Sequence, residues 1–143
     1  PKLIDYYHAE KKSINYRLNS LEKYLSNCNP KIAFLGIGED GHTAGIFKDN
    51  DTEKNCYLLK NKMDPYYRIT ISMKMLIKIP HIIFFVFGSG KKQSLNNILI
   101  DRYYKKYIPT KFLLINGLGE KVIFCDKEAA PDGFNIGESI IAL

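Results

Sequence analysis

Two short apolar runs each pass directly into a glycine turn. Lys31-Ile32-Ala33-Phe34-Leu35-Gly36-Ile37 leads into Gly38-Glu39-Asp40-Gly41, and His81-Ile82-Ile83-Phe84-Phe85-Val86-Phe87 leads into Gly88-Ser89-Gly90. Runs this short, dense in β-branched and aromatic residues and without clean alternation, read as strands buried on both faces. Neither approaches the roughly 18 apolar residues that a membrane-spanning helix requires. A buried strand that ends in glycines brings the backbone close to whatever binds beyond its carboxyl end, so these two turns are where chemistry is expected.

The remaining pattern alternates helix and strand. Ile14, Leu18, Leu21 and Leu25 recur on one face of a helix over 8–26, with Lys11, Lys12, Glu22 and Lys23 free to face solvent and Asn27 to Pro30 ending it. Residues 48–56 read as a solvated loop, 56–60 and 68–71 as short strands with a turn at Asp64-Pro65 between them, and 73–79 as a short helix closed by Pro80. A helix over 91–101 would turn Leu95, Ile98 and Leu99 inward, and 102–109 reads as an aromatic, basic loop. Residues 111–115 read as strand or extended chain, 122–125 as a strand and 127–130 as a short helix, with little to hold the tail after Pro131. This order predicts an α/β fold, a Rossmann-like layered domain around a parallel sheet, without internal repeats or a second domain.

The chain has 143 residues, 45% of them hydrophobic and 25% charged, a folded, water-soluble composition. Its net charge of +6 is carried by dispersed lysines, with arginine only at Arg17, Arg68 and Arg102. Nucleic-acid binding calls for a clustered basic stripe with arginine forks, and none is present. Local positive charge serves an acidic small molecule equally well. Cys28, Cys56 and Cys125 have neither the spacing of a metal site nor an even count for a disulfide framework, so three free thiols in a reducing compartment are expected. No signal peptide is visible, and the chain opens Pro-Lys without an initiator methionine, as a fragment would.

Within the first turn, His42 carries an imidazole, the group that changes charge near neutral pH without extensive tuning, and Asp40 is near enough in sequence to orient it. A glycine turn with a surface histidine fits the spacing equally well. Gly36, Gly38 and Gly41 formally match the dinucleotide fingerprint, but no acidic residue follows at the distance that motif needs. The second turn, with Lys91 and Lys92 alongside, suits an anion or a plain helix cap. Arg68 stands in a strand of apolar and hydroxyl residues, where it could grip a phosphate with two parallel hydrogen bonds or simply mark a sheet edge. His8, His81 and the tyrosines at 66, 67, 103, 104 and 107 read as structural or surface residues.

The run Leu35-Gly36-Ile37-Gly38-Glu39-Asp40-Gly41-His42-Thr43-Ala44-Gly45-Ile46-Phe47 resembles the signature of the 6-phosphogluconolactonases, differing at Gly45, where serine is usual, and at Lys48, where proline is common. Three further blocks follow in family order: Tyr67-Arg68-Ile69-Thr70-Ile71-Ser72; Ile82 through Gly88 with Lys91; and Ile123-Phe124-Cys125-Asp126-Lys127-Glu128-Ala129-Ala130. The likeness runs from about residue 14 to 130. It implies that residues 1–143 form the C-terminal portion of a single domain, with about 1–130 resembling the family and 131–143 a tail. The implied fold is the Rossmann-like type of sugar-phosphate isomerases and coenzyme A transferases, present here as a partial domain. Related glucosamine-6-phosphate deaminases place a glutamate five residues after the histidine, where this chain has Phe47.

The resemblance implies hydrolysis of 6-phospho-D-glucono-1,5-lactone to 6-phosphogluconate in the oxidative pentose phosphate pathway, in the cytoplasm and without metal or organic cofactor. His42 and Asp40 would be catalytic; Gly38, Gly41, Arg68 and Lys91 would bind substrate; the Gly38 to Gly41 amides would face the developing oxyanion. The expected partner is a phosphorylated sugar lactone, with no nucleic acid and no membrane. Some members are fused to glucose-6-phosphate dehydrogenase, a context that the resemblance leaves open. A non-catalytic sugar-phosphate-binding domain, or a deaminase-like isomerase, is the alternative reading.

Overall fold

The computed structural model describes residues 13–48, 52–60, 67–101, 106–134 and the backbone of 140–142. The expectations for His8, for residues 8–12 of the first helix, for the Asp64-Pro65 turn and for Tyr66, Tyr103 and Tyr104 lie outside them.

Helix α1 (Ile14–Ser26) begins at Ser13, whose hydroxyl accepts from the Tyr16 N–H at 3.3 Å. None of its residues is fully buried. Glu22, expected in solvent, instead turns toward the start of strand β2 (Cys56–Lys60). Its carboxylate accepts from the backbone N–H groups of Asn55 and Cys56, each at 2.9 Å to the same oxygen. The donors at a strand entrance have no ladder partner, and a carboxylate on the neighbouring helix supplies one.

Strands β1 (Ile32–Gly36), β4 (His81–Val86) and β5 (Glu120–Cys125) run parallel, and β6 (Ile140–Ala142) adds antiparallel to β5. The tail thus pairs its backbone with the sheet, contrary to expectation. Strands β2 and β3 (Tyr67–Ile71) form a separate antiparallel pair. Helix α2 (Met73–Ile77) is capped by Ser72, whose hydroxyl accepts from the Met75 N–H at 3.2 Å. After β4 comes a 3-10 turn (Ser89–Lys91), then α3 (Lys92–Leu95), which widens into a π-helical turn (Asn96–Ile100) in place of one regular helix.

Residues 111–115 are helical, not extended: α4 spans Pro109–Asn116. Proline at the first helical position needs no N–H there and presets φ, and the helix buries Leu113 and Leu114 against the core. Residues 127–130 form only a turn, closed by the Ala130 N–H donating to the Asp126 carbonyl at 3.0 Å.

One face of the sheet is covered. Ile82, Phe84, Val86 and Ile123 pack there with Leu76, Leu95 and Leu113 from the helices. Burying each such side chain contributes about 1.5–3 kcal/mol. The other face is open: Phe34 is 62% exposed and Phe124 51%, and Phe85 lies between them with ring centroids 6.1 and 5.7 Å away. β1 therefore alternates instead of being buried on both faces, because these elements cover only one side. Among the described residues, no helix is long and apolar enough to cross a membrane.

Candidate active site

In the parallel register Gly36 lies beside Phe85, and Val86 beside Cys125. The segments that leave β1, β4 and β5 therefore emerge along one edge of the sheet. The loop after β1 is closed by its own backbone. The Gly38 N–H donates to the His42 carbonyl at 2.8 Å, the Gly41 N–H to the Gly38 carbonyl at 3.0 Å, and the Ile46 N–H to the Thr43 carbonyl at 2.9 Å. The Gly38 and Gly41 amides are thus engaged inside the loop. Glycine is required at 41, where φ is +82° and a Cβ would sit 2.4 Å from Ile108 Cγ2.

Buried hydroxyls hold the loop from outside. Thr43 Oγ1 donates to the Gly36 carbonyl, Ser94 Oγ to the Gly38 carbonyl and Thr110 Oγ1 to the Gly41 carbonyl, each at 2.9 Å. The Thr110 N–H reaches the Gly41 carbonyl as well, at 3.2 Å. Thr70 Oγ1 accepts from the Gly45 N–H at 2.9 Å, tying β3 to the loop.

The loop presents one acid–base pair. Asp40 Oδ1 lies 2.5 Å from His42 Nδ1 and accepts the His42 backbone N–H at 3.1 Å. Partial burial pushes the Asp40 carboxyl up, but the hydrogen bonds from the His42 ring and backbone and the charge of the imidazole outweigh it, so its pKa lies below the ordinary value. A carboxylate at that distance fixes the proton on Nδ1 and leaves the Nε2 lone pair available. No described residue hydrogen-bonds Nε2. The Phe47 ring lies against the imidazole, centroids 4.2 Å apart and planes tilted 33°.

The turn after β4 adjoins this loop. Gly88, at φ +89°, donates its N–H to both oxygens of Asp126 at 2.9 and 3.1 Å, and Asp126 also accepts the Ala129 N–H at 2.8 Å. Glu39 leans on the turn so closely that a Cβ at Gly90 would lie 2.7 Å from its carboxylate. Lys91 ends this turn half-buried, while Lys92 points to Asp132 at 2.6 Å. Arg68 is exposed on the other structural unit, the β2–β3 pair, opposite Leu59. Alternation puts it on the strand face that carries Thr70, the face turned to the loop at Gly45. The fold thus brings Asp40 and His42 into contact, with Lys91 on the adjoining turn and Arg68 joined through Thr70.

His81 lies at the opposite end of β4, 3.4 Å from Glu120. Tyr67 is exposed beneath the Lys60 ammonium, and Tyr107 packs on Phe112. All three cysteines are free, and burial, helped by Glu22, pushes the Cys56 thiol up to about 12. Among the described residues, no group of three or more His, Cys, Asp or Glu could hold a metal ion. Ser94, Thr110 and Phe47 contact the loop and its histidine but are at most weakly marked in the sequence. Ser94 gave one signal, a small hydroxyl on the apolar face of its helix beside Leu95 and Ile98; Thr110, following Pro109, gave none.

Residues 5–121 match the family model described as glucosamine-6-phosphate isomerases/6-phosphogluconolactonase. A probable 6-phosphogluconolactonase of Dictyostelium discoideum is 32% identical over 91 residues, covering 58% of this chain and 39% of that protein. The "GDH/6PGL endoplasmic bifunctional protein" of Oryctolagus cuniculus is 25% identical over 118 residues, covering 78% of this chain and 14% of its own length. The crystal structure of 6-phosphogluconolactonase from Leishmania guyanensis superposes with a TM-score of 0.69 at 22% identity, over 84% of this chain and 53% of that one. That last likeness is one of fold. The chain spans about half the length of the solved relative and less of the two curated ones.

Proposed function

The chain belongs to the glucosamine-6-phosphate isomerase/6-phosphogluconolactonase family, and on that premise we propose that it carries the acid–base pair of a 6-phosphogluconolactonase. The reaction is hydrolysis of 6-phospho-D-glucono-1,5-lactone to 6-phosphogluconate, a step of the oxidative pentose phosphate pathway. The observation that carries this reading is the Asp40–His42 contact at a strand's carboxyl end, inside the stretch that matches the family.

The chemistry follows from the arrangement. A lactone carbonyl is already electrophilic, so the main requirement is a competent nucleophile. Nε2 of His42 takes a proton from water as the oxygen attacks C1. The imidazolium that forms is stabilised by the Asp40 carboxylate on Nδ1. Collapse of the tetrahedral intermediate breaks the bond from C1 to the ring oxygen, and the imidazolium returns its proton to that oxygen. The base is then regenerated and the product is the open-chain acid. Lys91, on the adjoining turn, and Arg68, on the hairpin tied to the loop by Thr70, are the cations assigned to the substrate's phosphate.

The test is His42→Asn in the intact protein, assayed for lactone hydrolysis above the spontaneous rate. We expect the fold to be kept and turnover to fall by about 100-fold or more, the scale for losing a positioned base. Wild-type turnover in the folded variant would move the base elsewhere; no hydrolysis above background by the unmutated protein would end the lactonase reading.

A further inference from the structure

We propose that Phe47 is a positioning residue for His42, its ring forming the wall that keeps the imidazole turned with Nε2 toward the open side of the site. The catalytic consequence rests on the lactonase reading above; the positioning does not.

Neither the Asp40 contact nor the loop backbone by itself fixes the tilt of the imidazole. The outer torsion of a histidine is broad and roughly two-fold, so rotation about it is easily admitted. The Asp40 contact anchors Nδ1 at a single point, and a ring held at one atom can still tilt about it. Gly38 guards one edge, because its backbone runs so close that a Cβ there would lie 2.0 Å from Nδ1 and 2.1 Å from Cε1. Phe47 lies against the ring itself, with its ring centred 4.2 Å from that of His42.

That wall is itself well seated. Ile46, immediately before it, is 1% exposed, and its N–H closes the loop onto the Thr43 carbonyl. The phenyl ring is therefore delivered from an anchored backbone. An aromatic face also suits the chemistry, because it attracts the positive charge that the imidazole acquires after taking a proton from water. Among the described residues, Asp40 is the titratable side chain hydrogen-bonded to the ring, and Phe47 supports the cation without adding a second proton-exchanging group beside it.

The test compares Phe47→Leu, which keeps apolar bulk and removes the ring, with Phe47→Tyr, which keeps it. Nitrogen NMR of 15N-histidine-labelled intact protein reads the tautomer directly. In the unmutated protein and Phe47→Tyr we expect His42 to be held with its proton on Nδ1, and in Phe47→Leu to show a mixture of the two tautomers. In the lactonase assay, Phe47→Leu should lower kcat by roughly 3- to 10-fold, the scale of one aromatic contact, with KM changed less than about twofold. Phe47→Tyr should restore kcat. A Phe47→Leu protein with the unmutated tautomer signature and full kcat, altered only in melting temperature, would overturn the proposal and leave Phe47 a packing residue. If Phe47→Leu does not fold, Phe47→Met takes its place with the same outcomes. Loss of the tautomer signature in a protein without lactonase activity would uphold the positioning and refute the reaction.

Discussion

Replacing Gly38 with alanine would put a methyl group where the His42 ring stands. The added Cβ would lie 2.0 Å from His42 Nδ1, 2.1 Å from Cε1 and 2.8 Å from Asp40 Oδ1. Non-bonded carbon contacts settle near 3.5–4.0 Å, so the imidazole must retreat by about 1.5 Å or the loop must open. Gly38 is not at a positive φ, so the backbone itself accepts alanine and the effect is steric alone. A retreat of that size breaks the 2.5 Å contact with Asp40. A misplacement of about 1 Å is enough to cost on the order of 100-fold in rate. We therefore expect Gly38→Ala to lose about 100-fold or more in kcat, with an overpacking cost of about 1–3 kcal/mol in stability. Lactone hydrolysis by the intact protein, corrected for the spontaneous reaction, measures the first, and a thermal melt the second. Because the methyl acts through His42, the double variant with His42→Asn should lose little more than His42→Asn alone. A folded Gly38→Ala protein with kcat within about threefold of the original would refute this reasoning. So would a double variant in which the two losses simply multiply.

Two further outcomes follow from other contacts. Arg68→Ala should raise KM with a smaller effect on kcat and on the melting temperature, since the side chain is exposed and assigned to the phosphate; unchanged KM would remove Arg68 from the site. For Glu22, burial pushes the carboxyl up, but the hydrogen bonds from Asn55 and Cys56 push it further down, so the folded pKa lies below the ordinary 4.5. A depressed folded value means stability that is present above the unfolded pKa and is lost as pH falls through the folded one. The melting temperature of the original protein should therefore exceed that of Glu22→Gln at pH 7, and the gap should close progressively as pH falls below about 4.5; a gap undiminished at pH 3 would contradict the assignment.

Local pattern was legible where one segment decides its own structure. The run from His81 to Phe87 reads as the clearest strand in the sequence, and it appears as β4 at His81–Val86. Pro80 and Gly88 bracket it. The spacing of Asp40 and His42 likewise suggested a contact that a two-residue separation makes geometrically easy. What misled was burial that depends on neighbours. Residues 111–115 are apolar enough for strand or helix, and the covered sheet face together with Pro109 decided for helix. The outward side of β1 was read as buried because Phe34 is apolar, yet apolarity in sequence does not say which face of a sheet is covered. Glu22 looked like a solvated helix charge because its partners, Asn55 and Cys56, are more than thirty residues away.

The same distance problem explains why the loop's rigidity could not be read from its glycines. Glycines by themselves make a loop more mobile, since they lose the most conformational freedom on folding. A side-chain pair held to hydrogen-bond distance needs that freedom removed by something else. In this fold the removal comes from buried hydroxyls. Of the five buried Thr and Ser among the described residues, Ser72 serves a helix cap; Thr43, Thr70, Ser94 and Thr110 all bond to the segment between Gly36 and Gly45. Each bond contributes only about 0.5–1.5 kcal/mol, but a buried hydroxyl without a partner would cost more than that, so each one selects the loop conformation that satisfies it. Ser94 and Thr110 come from the segments that follow β4 and precede β5. The second donor to the Gly38 carbonyl and both donors to the Gly41 carbonyl are therefore present only where the parallel sheet is assembled and those segments lie across its edge. The geometry of Asp40 and His42 is in this sense a property of the packed sheet edge, although both residues lie within a single short motif.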